Sequence, residues 1–189
     1  MNTPEKLIMR AVYGYNMQRL LFIGLLIALM GGAQAEELIN YSEEIGPFVV
    51  SFSLPELQSG PVEFEKNISK EETLGGVTDD RFELDMRSGG HSLGYVIVEK
   101  FGADIDYDLK ALREGRAEYL KSCGYVVNSA EREIDNVTGV ILHVEDIPHN
   151  SELFNFYYQA GKQTGVQGGI TLPWDQTLPL LKTLNVTAS

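Results

Sequence analysis

The sequence predicts an α+β domain: a mainly antiparallel sheet of about six to eight strands, with one long helix and a short C-terminal helix packed on it. Three observations carry this. Apolar residues alternate with period two over several short runs. A single long stretch with helical period interrupts them between residues 106 and 123. Most links between strands are too short for the crossovers that parallel pairing needs.

The first strand runs through Phe48, Val50, Phe52 and Leu54, which alternate with Val49, Ser51 and Ser53 and stop at Pro55. After a polar loop with Ser59-Gly60-Pro61, Val62-Glu63-Phe64-Glu65 begins a second, weaker strand. Phe82, Leu84 and Met86 then alternate with Arg81, Glu83, Asp85 and Arg87. Ser88-Gly89-Gly90 is a turn signal, and Leu93, Tyr95, Ile97 and Phe101 continue beyond it. Residues 81–101 therefore read as a hairpin. Val96 and Val98 make both faces of its second strand apolar, which places that strand centrally.

The helix follows. Leu109, Leu112, Ala117, Tyr119, Leu120 and Cys123 fall on one side, with the stem of Arg116 at its edge. Asp104, Asp106 and Asp108 suit its positive end, and Gly124 its termination. Strands resume with Val126–Glu133, the turn Asp135-Asn136, and Val140, Leu142 and Val144. The loop at 148–151 leads to Phe154, Phe156 and Tyr158, and a turn at 161–165 leads to Val166–Leu172. A short helix is predicted at about 174–184, with Pro179 favouring a start near Thr177. Its apolar side would carry Leu178, Leu181 and Leu184.

A signal peptide precedes this domain. Arg19 leads an apolar run, Leu20–Met30, of about 11 residues, against roughly 20 for a spanning helix. Ala33-Gln34-Ala35 supplies the small-residue cleavage site, placing the cut between Ala35 and Glu36. Met17–Ala35 is complete by itself, so Met17 is the expected start. Residues 1–16 are then either a mis-assigned start or an extended basic region. No cysteine stands at the cleavage site to take a lipid, and no second apolar run follows. The expected organisation is 1–35 signal peptide, 36–46 lead-in tail, and 47–189 a single domain. A secreted or cell-surface location follows, with no stable membrane insertion after cleavage.

The 189-residue chain carries 15 basic and 27 acidic side chains, a net of −12. Removing residues 1–35 leaves 12 and 26, a net of −14. Such a surface repels nucleic acid and anionic lipid. The one cysteine, Cys123, rules out an intrachain disulfide and is expected to be a small buried apolar residue. Four Asn-x-Ser/Thr sequons, at Asn40, Asn67, Asn136 and Asn185, fit a glycosylated exported protein of a eukaryote or an archaeon.

Few residues offer chemistry. Gly90-His91-Ser92-Leu93-Gly94 matches the G-x-S-x-G elbow, in the GHSLG form common among lipases and thioesterases. That motif needs a strand before the serine and a helix after it. Tyr95-Val96-Ile97-Val98 is strand-like instead, so a small serine hydrolase using Ser92 is the alternative rather than the leading expectation. His143, Glu145 and His149 could hold a divalent cation, since imidazole and carboxylate are common ligands, though they match no established spacing. Asp79-Asp80 and Asp104-x-Asp106-x-Asp108 could bind calcium weakly, but the latter lacks the glycine and closing glutamate of a calcium loop, so helix capping accounts for it better. Phe154, Phe156 and Trp174 are expected in the core, while Asn155 and Tyr157 face outward as a candidate binding surface. No cofactor is expected.

The element order, with a long central helix and a closing helix after the last strand, resembles the PsbP-like fold of small α/β/α domains over most of residues 47–185. The tail Pro173-Trp174-Asp175-Gln176-Thr177-Leu178-Pro179-Leu180-Leu181-Lys182-Thr183-Leu184 and the segment Arg132–Val140 are similar to small exported proteins of unknown function from methanogenic archaea. Neither resemblance brings a catalytic residue. Both imply an envelope-associated binding or structural module, with an unidentified envelope or protein partner.

Overall fold

Alternation becomes pairing along most of the chain. The computed structural model describes residues 37–72, 78–106 and 108–189. The expected signal peptide lies outside them. Glu37–Ser189 form one unit, with the strands β1 (Leu38–Ile45), β2 (Phe48–Pro55), β3 (Val62–Glu72), β4 (Thr78–Ser88) and β5 (His91–Phe101). Then come α1 (Leu109–Ser122), β6 (Val126–Ile134), β7 (Val137–Asp146), β8 (Ser151–Gly161), β9 (Thr164–Ile170), α2 (Trp174–Thr183) and β10 (Asn185–Ala188).

The strands form two sheets with antiparallel neighbours throughout. Seven run in the order β3-β4-β5-β9-β8-β7-β6, and three in the order β1-β2-β10. The α+β class and the antiparallel sheet are therefore as predicted, and β5 is central, between β4 and β9. Two tight turns close the β4–β5 and β6–β7 hairpins, the first of which shifts register by one residue at a bulge between Met86 and Arg87. Gly89 and Gly90 have φ of 56° and 80°, and Asp135 and Asn136 have φ of 53° and 59°. Two successive left-handed residues give the turn whose twist matches that of the flanking strands.

One face of the large sheet carries the main core. Leu84, Met86, Val96, Phe156, Tyr158 and Val166 rise from it to meet Val50, Phe52 and Leu54 of β2 and Leu180 of α2. The other face holds a smaller core, in which Leu120 of α1 packs with Val127, Val140, Leu142, Val144 and Tyr157. Among the described residues no helix is long and apolar enough to cross a membrane.

Several expectations are corrected. The lead-in tail of 36–46 contains β1, which pairs along β2 from Leu38 to Ile45. Its inward positions are Tyr41, Glu43 and Ile45, and the glutamate, paired with Lys66 at 2.8 Å, hides the alternation. The second sheet was not foreseen, because β10 has only four residues and is held by β2 rather than by its own pattern. The helix expected at 106–123 starts at Leu109, where Asp108 Oδ1 accepts from the Ala111 N–H at 2.9 Å. Cys123 caps its other end and is exposed, because the chain turns there at Gly124, with φ of 94°. α2 starts at Trp174 despite Pro179. A proline there removes one helix hydrogen bond, and burial of Thr177, Leu180 and Leu181 offsets the loss.

Candidate functional site

The register of the sheet decides which side chains share the α2 side. Asn128 of β6 lies opposite His143 of β7, which lies opposite Phe154 of β8. On one side of this row, along the strands, come Glu145 and Glu152, opposite each other. On the other come Ala130 with Ile141, then Arg132 with Gly139. From the level of Glu145 to that of Gly139 is six residues, about 20 Å of strand. Trp174, the first residue of α2, stands beside Phe154.

These residues enclose a groove of about 460 Å³, lined among others by Asn128, Arg132, His143, Glu152, Phe154 and Trp174. That size lies within the range of small-molecule sites. Arg132 and Ile141 also line a second hollow of about 420 Å³, which continues beside α2 to Asp135, Lys182 and Asn185.

Three rings follow one another, the first pair stacked and the second tilted. The His143 and Phe154 centroids are 4.6 Å apart, with planes 12° apart. Phe154 and Trp174 follow at 5.1 Å and 39°. Phe154 is buried, whereas Trp174 remains 37% exposed. The imidazole sits between two carboxylates. Its Nδ1 is 3.6 Å from Glu145 and its Nε2 is 3.3 Å from Glu152. The second approach is close enough for charge attraction, but Nε2 makes no hydrogen bond of good geometry.

His149 belongs elsewhere. Its Nδ1 pairs with Asp146 at 2.7 Å on the short 3-10 turn Ile147–His149, and its side chain is 78% exposed. So the structure brings His143 and Glu145 together and pairs His149 with Asp146. Among the described residues no group of three or more His, Cys, Asp or Glu is arranged to hold a metal. Asp104 accepts from Gln163 and Asp108 caps α1.

Ser92 lies inside β5, opposite Arg87, and the strand continues to Phe101. The serine therefore lacks the helix that its motif requires. Gly94 has a different task. With φ of 140°, it lies against the Gly169 carbonyl, where a Cβ would collide. The glycines of this segment serve a turn and a close strand approach.

Asn155 and Tyr157 do not form an outward surface. Both are buried beneath the α1 side, at 2% and 9% exposure. Burial pushes the Tyr157 phenol up, partly opposed by Arg116. Trp174, expected in the core, is instead the exposed ring. Asn128, Arg132 and Glu152 were not singled out from sequence. The available signal was β6 itself, where Asn128, Ala130 and Arg132 leave the face toward α2 without an apolar stripe.

Of the four sequons, Asn40, Asn67 and Asn136 are exposed and Asn185 is half-buried. No protein-family model, curated protein or solved structure matches the chain. The fold and the groove define an antiparallel α+β domain with an aromatic cleft between a helix and a sheet edge.

Proposed function

We propose that the protein is an exported, non-catalytic binding module of the cell envelope or exterior, built on a PsbP-like arrangement and related to exported proteins of methanogenic archaea. The groove between α2 and β6–β8 is its binding site. The observation that supports this reading is the ring series His143–Phe154–Trp174, which ends in a partly exposed indole at a groove edged by polar side chains. Apolar walls with a few convergent polar groups are the usual composition of a ligand site. Export rests on the Arg19–Ala35 pattern, and no observation favours the hydrolase alternative at Ser92.

The test is fractionation of native cells producing the protein with a photo-crosslinking residue at Ala130. The protein should lie outside the cytoplasm, begin at Glu36, and form adducts with an envelope component from Ala130. Uncleaved cytoplasmic protein would overturn export. Adducts no more frequent from Ala130 than from a control at exposed Glu63 would overturn the site.

A further inference from the structure

We infer that the groove takes a neutral oligosaccharide, a proposal that rests on the reading of this groove as a binding site. The argument is one of surface chemistry. A sugar ring presents a flat C–H face and a rim of hydroxyl pairs. It therefore needs an aromatic plane that is open on one side, with planar hydrogen-bonding groups around it.

Trp174 supplies the plane. The residue is 37% exposed, and the Phe154 ring lies against it at 5.1 Å, tilted by 39°. Phe154 is in turn stacked on His143. A ring backed in this way loses little freedom when a ligand covers it, which favours binding. The Asn128 amide, the Arg132 guanidinium and the Glu152 carboxylate supply the planar groups. Each offers two atoms side by side, the geometry that meets adjacent hydroxyls.

Other ligand classes fit less well. The net charge of −12, with Glu152 in the groove wall, opposes an anion. A lipid chain would take Asn128 and Arg132 out of water without offering them hydrogen-bond partners, at a cost. A series of rings in file differs from the cage of ring faces that a quaternary ammonium uses. The continuation of the groove past Arg132 toward Lys182 gives room for several sugar units.

Trp174 is the chain's single tryptophan, so its emission reports occupancy directly. The full chain would be titrated with hexamers of β-1,4-linked glucose, of N-acetylglucosamine and of galacturonic acid. At least one neutral hexamer should give a saturable change, and the uronate hexamer none. Asn128→Ala and Glu152→Gln, checked for unchanged thermal unfolding, should weaken binding about tenfold each. Silence toward both neutral hexamers would overturn the proposal, as would equal binding of the uronate or full affinity in both variants. If the sugars fail while Ala130 still forms adducts with an envelope component, the ligand class falls and the binding site stands. If Ala130 forms none, the site falls as well.

Discussion

Asn185 Nδ2 donates to Asp135 Oδ1 at 2.6 Å, tying the last strand to the turn between β6 and β7. The same carboxylate accepts from the Val186 N–H at 3.0 Å and from the Tyr158 hydroxyl at 3.4 Å. One residue thus joins the small sheet to the large one. It also holds a left-handed turn position that aspartate tolerates better than most residues.

Asp135→Ala should lower stability by roughly 2–4 kcal/mol, from orphaned half-buried donors and a left-handed alanine. Urea unfolding followed by circular dichroism measures it. A loss under about 0.5 kcal/mol, the scale of ordinary surface changes, would show that the clamp does not hold the sheets together.

The same contact makes Asn185 the least available sequon. Its amide nitrogen, the atom a glycan would join, is engaged with Asp135, whereas Asn40, Asn67 and Asn136 are exposed. Peptide mass spectrometry of the native protein should find lower glycan occupancy at Asn185 than at the other three. Full occupancy at Asn185 would mean that this contact forms differently in the native protein.

Alkali should unfold the domain through Tyr158. Burial, then the nearby Asp135, pushes its phenol above the ordinary 10.0. The unfolded chain releases this proton near 10.0 and the folded chain only at higher pH. The associated stability is therefore complete below about pH 10 and is lost as the pH rises beyond it. Tyr158→Phe should flatten that alkaline decline, leaving the part due to Tyr157 and Tyr41, whose phenols are also raised by burial. Urea midpoints between about pH 8 and about pH 11 decide the matter. Parallel declines in the two proteins would remove Tyr158 as the cause.

Gly94 and Ser92 should respond oppositely to the same change. Gly94→Ala meets the Gly169 carbonyl and a left-handed φ, and should cost about 3 kcal/mol or more. Ser92→Ala, at an exposed strand position, should stay within about 0.5 kcal/mol. A fluorophosphonate probe should label neither the parent protein nor this variant. Labelling of the parent that disappears with Ser92 would restore the hydrolase alternative.

Much of this architecture was legible in the chain. Period two in Phe82–Met86, Val140–Val144 and Phe154–Tyr158 reports a face turned to a core, and that physics is local to each strand. So is the turn chemistry of Gly89-Gly90 and Asp135-Asn136, whereas Asp104, Asp106 and Asp108 mark the helix start without showing which of them caps it. The strand character of residues 95–98 also counted against an elbow at Ser92 before any contact was known.

What tertiary structure alone decided was partnership. β1 and β10 carry too little pattern to declare themselves and exist because β2 lies between them. Asn155 and Tyr157 alternate correctly with Phe154 and Phe156, yet alternation does not reveal that α1 covers their side. The groove depends on register: only pairing brings Asn128, His143 and Phe154, 15 and 11 residues apart in sequence, to one level of the sheet. Local periodicity gives each residue a face, while long-range contacts determine what meets that face and how much of it stays open.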